Sequence, residues 1–197
     1  MEIEIRAFVK DIKKIESKLI SLKAKRFKQQ HIIDYWFCPK RFTSFKQIQM
    51  NKPKSYSLRI RWLKEKNKEY LELNSKAISR EKDHNIFIEH ETSIDNIGET
   101  KSILETIGFK IYCILEKQRT VYQKKNMLIN LEDIKGFNPA IEIEIIADEE
   151  TDIHKQAITK TLKQLGIKEK NIIKTSITNL FMKKYAFKQK EDTLRMP

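Results

Sequence analysis

Apolar residues recur along this chain at two spacings, which predict strands and helices in turn. In Glu2–Ala7 and Ala140–Ala147 apolar residues occupy every second position, the pattern of a strand with one apolar face. From Ile12 to Leu22, isoleucines and leucines recur three or four residues apart, which predicts an amphipathic helix after the candidate N-cap Asp11. The chain therefore opens with a strand followed by a helix.

The same strand and helix patterns recur through the rest of the chain. Further strands are predicted at His31–Phe37, Ser55–Leu63, Glu69–Asn74, Ile86–Thr92, Lys110–Tyr122 and Met127–Glu132. Further helices are predicted at Asp95–Ile107, Asp152–Leu165 and Glu169–Tyr185. The second of these helices is predicted to turn inward Ile153, Ala157, Ile158, Leu162 and Leu165.

About eight strands of even spacing, joined mostly as antiparallel neighbours, predict an α+β fold. We expect an eight-stranded antiparallel β-barrel or tunnel with helices packed outside it. With 197 residues, of which 40% are hydrophobic, the chain is long enough for one good core. We therefore expect a single domain over residues 1–186, followed by a polar C-terminal tail over residues 187–197.

Charge adds a prediction about the partner. Lysine and arginine number 40 against 27 aspartates and glutamates, which gives a formal net charge of +13 and favours a polyanionic ligand. No apolar run reaches the roughly 18 residues that span a bilayer, so we expect a cytoplasmic protein without a membrane partner. Neither the cysteines nor the histidines have the spacing of a metal site; they are Cys38, Cys113, His31, His84, His90 and His154.

Three Glu-x-Glu pairs stand out against this basic background. They are Glu2 with Glu4, Glu89 with Glu91, and Glu142 with Glu144. Alternate residues of a strand point to one side, so each pair places two carboxylates on a common face. Such acids suit a divalent metal ion that assists a phosphate ligand. The alternative is a solvated strand face, which is the commoner origin of a single pair.

Basic residues follow the same alternation. Arg59 and Arg61 share one strand face, and Lys117 and Arg119 share another. Because an arginine fork can bind two phosphate oxygens, these pairs favour a triphosphate ligand. The alternative is a cationic outer surface. Nucleic-acid binding is the second hypothesis, because the aromatic residues are not interleaved with the basic ones as in a stacking platform.

Taken in order, these motifs resemble the CYTH superfamily of triphosphate tunnel metalloenzymes. The segments Glu2–Arg6, Asp34–Phe37, Leu58–Arg61, Glu89–Glu91, Lys117–Arg119 and Leu131–Glu144 are similar to the family patterns E-x-E-x-K, D-x-Y-F, L-R-I-R, E-x-E, K-x-R and L-D-x-V-x-G-L-G-x-F-x-E-x-E. The segments Pro39–Phe42, Leu165–Ile167 and Ser176–Leu180 resemble elements of the class IV adenylate cyclases within it.

The resemblance implies roles for specific residues. Mg²⁺ or Mn²⁺ would be held by Glu2, Glu4, Glu142 and Glu144, with Glu132 where the family has aspartate and with Glu89 and Glu91 as helpers. The triphosphate would be bound by Arg6, Arg59, Arg61, Lys76, Lys117 and Arg119. Arg6 and Glu132 would also be catalytic. Lys76 depends on the alignment, because Asn74 fits the same family position in another register.

The activity implied is metal-dependent conversion of ATP to cyclic AMP and pyrophosphate by a class IV adenylate cyclase. The alternative is an inorganic or thiamine triphosphatase that hydrolyses the terminal phosphate, with tripolyphosphate among its substrates. A non-enzymatic module that binds nucleic acid or polyphosphate ranks third. Family members often form homodimers, although no apolar stripe in this sequence indicates one.

Five positions depart from the family patterns. They are Arg6 for lysine, Phe87 for arginine, Glu132 for aspartate, Asn138 for glycine and Ile177 for tyrosine. Arg6 keeps the positive charge but cannot act as a general base near neutral pH. Glu132 is one methylene longer than the aspartate it replaces. These departures bear on cyclase activity more than on the fold.

Overall fold

A computed structural model of the protein describes residues 2–48, 55–80, 83–146 and 152–189. Within these ranges, side chains are not described at positions 2, 78–80, 83–87 and 146. The predicted metal ligand Glu2 and the departing residue Phe87 therefore lie outside the described side chains. The predicted tail lies outside the described residues from position 190 onward.

The described residues form an antiparallel sheet of nine strands together with four α-helices. The strands are β1 Glu2–Phe8, β2 Lys25–Pro39, β3 Tyr56–Glu65, β4 Lys68–Arg80, β5 Asp83–Ser93, β6 Phe109–Lys124, β7 Met127–Ile134, β8 Ala140–Ile146 and β9 Ile172–Ile173. The helices are α1 Ile12–Ser21, α2 Ile97–Thr106, α3 Asp152–Leu165 and α4 Ile177–Tyr185. The α+β antiparallel prediction is confirmed, and the strand beyond the expected eight is the two-residue β9.

Two compact units divide the chain. Unit 1 comprises Met1–His31 and Lys117–Leu180, and within it the strands are hydrogen-bonded in the order β6-β7-β8-β1-β9. One face of this sheet carries alternating apolar residues from β1, β7 and β8 that pack against α1 and α3. Among the buried residues of this cluster are Ile141 and Ile143 on β8 and Leu19, Ile158 and Leu162 on the helices. The opposite face is thereby left to the polar residues of the same strands.

Unit 2 comprises Ile32–Glu116 and Phe181–Pro197, with strand order β5-β4-β3-β2. Its core is a separate cluster, in which Leu104 of α2 packs with buried residues of the sheet such as Tyr35, Phe37 and Ile60. The start of the predicted tail contacts this unit, because the backbone N–H of Phe187 donates to the carbonyl of Tyr112 at 2.8 Å. The single-domain boundary at residue 186 stays a prediction.

Helices α1 and α3 test the cap and the buried face that were predicted from the sequence. The carboxylate of Asp11 accepts the backbone N–H of Lys14 at 3.0 Å, which confirms it as the N-cap of α1. α3 has the predicted bounds, but Ile153 is 75% exposed and its inward placement was wrong. At 100° per residue, Ile153 lies about 140° around the helix from Ile158 and about 180° from Leu162.

The last helix begins later than predicted. Residues Glu169–Asn171 form a short 3₁₀ turn, and Ile172 and Ile173 then pair with β1 as an edge strand. The hydroxyl of Ser176 accepts the backbone N–H of Asn179 at 3.1 Å, at the start of α4. Pairing of two β-branched residues with a sheet edge thus overrides the helical periodicity. None of the helices in the described part of the chain is long and apolar enough to cross a membrane.

Candidate functional site

Strand register gathers the charged residues of unit 1 on one face of its sheet. Glu4 lies opposite Glu144 in the β1–β8 pair, and Arg6 lies opposite Glu142. Residues directly opposite one another in an antiparallel pair project to the same side. The register continues across β7 and β6, and it defines the unit 1 cluster as Glu4, Arg6, Lys117, Arg119, Asn130, Glu132, Glu142 and Glu144. The apolar core with α1 and α3 lies on the other face.

Glu132 is the buried acid of the unit 1 cluster, with 4% exposure. Its Oε1 accepts from Lys117 Nζ at 2.6 Å and from Arg119 Nε and Nη2 at 2.9 and 2.6 Å. Burial alone would raise the pKa of this carboxyl, but the charges of Lys117 and Arg119 outweigh it and lower the pKa to about 2. Glu132 therefore stays ionised and fixes both cations.

Arg6 joins two acids of the unit 1 cluster. Its Nε donates to Glu142 Oε2 at 2.5 Å, and its Nη2 donates to Glu4. Burial lowers the pKa of Arg6, but Glu142 and Glu4 outweigh this and leave the pKa above its ordinary value. The other oxygen of Glu142 accepts the side-chain amide of Asn130 at 3.5 Å. This face therefore already stabilises one cation between two carboxylates.

The carboxylates of the unit 1 cluster include predicted ligands of the metal ion. Across the described residues, no three or more His, Cys, Asp and Glu side chains form a group arranged to hold a metal. Glu4 and Glu142 nevertheless flank the Arg6 guanidinium, and Glu144 lies opposite Glu4. Carboxylate oxygens are the donors that Mg²⁺ and Mn²⁺ prefer. The donor set fits a divalent cation provided that Arg6 gives up its present partners.

A second polar face belongs to unit 2. In β3 and β4, Arg59 lies opposite Asn74 and Arg61 lies opposite Glu72. In β4 and β5, the register places the Glu-x-Glu pair of β5 opposite Asn74 and Lys76. We define the unit 2 cluster as Asp34, Arg59, Arg61, Glu72, Asn74, Lys76, Glu89 and Glu91. Ile60, between the two arginines, points into the core of the unit.

Asp34 is the buried acid of the unit 2 cluster, with 2% exposure. Its two oxygens accept Arg61 Nε and Nη2 at 2.7 and 2.9 Å. Arg59 is more distant, with Nη1 3.8 Å from Asp34, and its guanidinium lies 5.4 Å from the ring centre of Trp36. Burial lowers the pKa of Arg59 more than Asp34 raises it. Neither Arg59 Nε nor Trp36 Nε1 has a hydrogen-bond partner among the described residues.

The middle Glu-x-Glu pair is organised by an amide. Asn74 Nδ2 donates to Glu89 Oε1 and to Glu91 Oε2, both at 3.1 Å. Lys76 Nζ lies 3.6 Å from Glu89. The hydrogen bond from Asn74 is the main reason that the pKa of Glu89 is lowered, whereas burial and then Glu91 raise the pKa of Glu72. The pair is thus a hydrogen-bonded part of the unit 2 cluster.

Every predicted site residue with a described side chain falls in one of the two clusters. Unit 1 brings together the acids of β1 and β8 with Arg6, Glu132 and the basic pair of β6, and unit 2 brings together the rest. The sequence reasoning assigned no role to Asp34, Trp36, Glu72 or Asn130, and it considered Asn74 only as the alternative to Lys76. Alternation within Asn130–Glu132 and within Asp34–Trp36 was the available signal, because each segment puts its first and third residues on one face.

The family comparison covers most of the chain. The family model of the CYTH domain matches residues 1–177. A candidate adenylate cyclase of Methanocaldococcus jannaschii, MJ0240, is 30% identical over 94 residues, which are 47% of this chain and 54% of that protein. The matched region therefore spans about half the length of that relative.

Solved structures share the fold. The PH1819 protein of Pyrococcus horikoshii OT3 superposes with a TM-score of 0.69 at 21% identity, covering 93% of this chain and 99% of that chain. HpAC1 of Hippeastrum, an adenylyl cyclase candidate with a dominant triphosphatase activity, superposes with a TM-score of 0.62 at 18% identity, covering 93% and 95%. Because the family model matches residues 1–177 and these structures share the fold, the chain belongs to the CYTH domain family.

Proposed function

We propose that this protein is a metal-dependent enzyme that acts on a nucleoside triphosphate, and that its reaction is the adenylate cyclase reaction. The observation that carries the proposal is the unit 1 cluster, where Glu132 holds Lys117 and Arg119 at 2.6 Å on the face that also carries Glu142 and Glu144. Fixed cations beside carboxylates are what a metal-assisted phosphate reaction needs, because charge develops on phosphate oxygens in the transition state.

Glu4, Glu142 and Glu144, together with Glu2, are the proposed metal ligands. A bound Mg²⁺ or Mn²⁺ would neutralise phosphate charge and polarise the phosphorus–oxygen bond that breaks. Arg6 now pairs with Glu4 and Glu142. We expect it to exchange these carboxylates for phosphate oxygens when substrate binds, since a guanidinium binds both in the same bidentate way.

Lys117 and Arg119 are proposed phosphate contacts, and Glu132 is proposed as the residue that positions them. A cation already fixed before substrate arrives needs little reorganisation in the transition state. Because an arginine side chain remains protonated near neutral pH, Arg6 and Arg119 stabilise charge and do not accept a proton. In the unit 2 cluster, three further cations are proposed to contact phosphate for the same reason: Arg59, Arg61 and Lys76.

In the proposed reaction, the ribose 3′-oxygen forms a bond to the α-phosphorus and loses its proton to solvent. The bond from the α-phosphorus to the bridging oxygen breaks, and pyrophosphate leaves. The second candidate is a triphosphatase, in which water attacks the γ-phosphorus and orthophosphate is released. The dominant triphosphatase activity of HpAC1, which shares the fold, favours testing it directly.

Product analysis separates these functions. The protein would be incubated with ATP or tripolyphosphate in the presence of Mg²⁺ or Mn²⁺. Cyclic AMP with pyrophosphate supports the cyclase, and orthophosphate from either substrate supports the triphosphatase. Absence of turnover, combined with binding that weakens steeply as salt rises, would instead identify a polyanion-binding module.

The metal ligands are tested by the double change Glu142→Gln with Glu144→Gln. We expect turnover to be abolished while circular dichroism shows the fold retained, because amides replace the charged donors at nearly the same volume. A matched control is Glu99→Gln with Glu105→Gln, which makes the same charge change on α2, outside both clusters. Unchanged turnover in the first variant would refute the metal assignment.

A further inference from the structure

Unit 1 contains a cavity of about 260 Å³ whose lining shares no residue with either cluster. It is bounded by the end of β1, by one side of α1 and by the segment that joins α3 to β9. Three of its lining residues, Ile15, Leu165 and Ile167, are buried members of the apolar core of unit 1. The cavity therefore lies on the helix side of the unit 1 sheet, and not on the face that carries the unit 1 cluster.

Lysines dominate the charge of this cavity, which we call the lysine cavity. The acid among its described lining residues is Asp11, and five of the others are Lys10, Lys14, Lys18, Lys168 and Lys170. The Asp11 carboxylate accepts the backbone N–H of Lys14 at 3.0 Å as the cap of α1. In the described part of the chain, none of the five ammonium groups forms an ion pair with a carboxylate. In the two clusters, by contrast, cations lie beside carboxylates.

Lys18 is fixed in the cavity wall by the end of α3. Its Nζ donates to the carbonyl of Leu165 at 2.6 Å, which satisfies one of the carbonyls left open at the end of the helix. Gly166 follows with a φ of +77°, and a Cβ at this position would lie 2.6 Å from Lys18 Nζ. Glycine thus leaves the room that the ammonium group occupies. Because an ammonium has three donors, Lys18 keeps two after this bond.

The donors of the lysine cavity and its size indicate the class of ligand. The backbone N–H groups of Gly166 and Ile167 donate to carbonyls of α3 at 2.9 and 3.0 Å, so the lysine side chains are the principal donors that remain. Ammonium groups bind phosphate oxygens as point charges. A volume of about 260 Å³ lies below the range of about 300–1,000 Å³ found for drug-sized ligands. These properties favour a compact phosphate anion.

We propose that the lysine cavity binds a compact inorganic phosphate anion, either orthophosphate or pyrophosphate, at a site separate from both clusters. The bound anion would join α1, through Lys14 and Lys18, to the segment between α3 and β9, through Lys168 and Lys170. It would neutralise like charges that repel one another in the free protein. This site goes beyond the proposed function and does not depend on it, because no residue of either cluster lines the cavity.

The four glycines of the chain allow a local measurement of binding. Gly166 lines the lysine cavity, whereas Gly98, Gly108 and Gly136 do not. Protein labelled with ¹⁵N at glycine alone gives one amide signal for each, and the signal that disappears in Gly166→Ala belongs to Gly166. Orthophosphate and pyrophosphate would be titrated separately, with EDTA present and ionic strength held constant, because salt screens exposed charges. We expect at least one of them to shift the Gly166 signal until the site is saturated.

Two double variants test the lysines. Lys14→Gln with Lys168→Gln removes one charge from α1 and one from the segment after α3, and should raise the Kd read from the Gly166 signal by about tenfold or more. The matched control is Lys155→Gln with Lys160→Gln, which removes two lysines of α3 that do not line the lysine cavity. We expect the control to raise the Kd by less than about twofold.

Each result supports or overturns the phosphate site. A rise in Kd confined to the first double variant supports it, even if the wild-type protein turns over no substrate and the proposed function fails. Equal rises in both double variants would assign the binding to the general positive charge of the protein and overturn the site. A Gly166 signal that neither anion shifts would also overturn it, as would a shift that persists unchanged in the first variant. Thermal melting without phosphate identifies any variant that fails to fold.

Discussion

The two units differ in how closely their cations approach a buried carboxylate. Each buries a single carboxylate beside two cations spaced two residues apart on a neighbouring strand: Glu132 in unit 1 and Asp34 in unit 2. In unit 1, both cations approach Glu132 within 2.6 Å. In unit 2, Arg61 approaches Asp34 at 2.7 Å, whereas Arg59 remains 3.8 Å away.

The difference shows that the same basic-x-basic pattern can produce two kinds of cation. A cation held by a buried carboxylate is fixed in place, and part of its hydrogen-bonding capacity is already used. Arg59 instead rests on the Trp36 ring with its Nε unpaired and its pKa lowered, first by burial. We infer that Arg59 is the cation whose interactions remain most open to a ligand, whereas Arg61 has a larger structural role.

The largest effect should come from removing the carboxylate of unit 1. Glu132→Gln leaves Lys117, itself 6% exposed, and Arg119 beside a neutral amide. Breaking a buried ion pair by removing one partner costs about 3–5 kcal/mol, and we expect a loss of that size in the free energy of unfolding. Urea denaturation of the variant and wild-type proteins measures it.

The control for this variant is an exposed pair. Glu105→Gln removes the partner of Lys101, 3.6 Å away on the surface of α2, and should cost about 0.5 kcal/mol or less. If Glu132→Gln does not yield folded protein, Glu132→Asp keeps the charge on a shorter side chain and should show a smaller loss. If Glu132→Gln lowered the free energy of unfolding no more than the control does, the interpretation that Glu132 fixes Lys117 and Arg119 would be wrong.

The second effect is the pH dependence of the same interaction. The pKa of Glu132 is lowered from 4.5 to about 2, because Lys117 and Arg119 outweigh the cost of burial. A carboxyl with a lowered pKa in the folded state contributes stability above its unfolded pKa and loses it as pH falls through the folded value. The interval from 4.5 to about 2 corresponds to about 3 kcal/mol.

Subtracting the stability of Glu132→Gln from that of wild type isolates this contribution from other titrating groups. The difference should be largest at pH 6 and should fall progressively as pH decreases from about 5 towards 2. Urea denaturation at pH 6, 4 and 3 measures it. A difference that stays constant over this range would mean that Glu132 ionises alike in the folded and unfolded states.

Alternation along a strand predicts which residues share a face, but it does not predict their partners on other strands. The face of β8 was predictable, because its glutamates alternate with isoleucines. The shared face of Lys117 and Arg119 was predictable from their two-residue spacing alone. The pairing of each acid with its cation was not predictable, because cross-strand register depends on contacts between residues that are distant in sequence. Asp34, for example, belongs to a segment that resembles a family motif, but its pairing with Arg59 and Arg61 becomes recognisable only once their strands lie side by side.

The helices show the same limit. Asp11 was predicted as the cap of α1, because capping is local and involves a backbone N–H three residues away. The start of α4 was predicted too early, because Ile172 and Ile173 have helical neighbours in sequence but a strand partner in space. Local chemistry was therefore readable from the chain, whereas pairing across the sheet required the structure.

The smallest effect compares the two arginines of unit 2 directly. Arg61→Lys replaces a guanidinium fork that donates twice to Asp34, at 2.7 and 2.9 Å, with a single ammonium. We expect it to lower the free energy of unfolding by about 1–2 kcal/mol, the worth of a charged hydrogen bond. Arg59→Lys changes a 3.8 Å contact with Asp34 and a cation–π contact with Trp36, which an ammonium can also make, and it should cost less stability. Urea denaturation of the two variants measures the difference.

Ligand affinity should rank the same two variants in the opposite order. Arg59 has an unpaired Nε and the weaker tie to Asp34, so Arg59→Lys should weaken ATP binding more than Arg61→Lys does. Each variant is the control for the other, because both make the same substitution two positions apart on β3. If Arg61→Lys proved worse in both stability and ATP affinity, Arg59 would be no more open to a ligand than its neighbour, and the distinction between the two kinds of cation would fail.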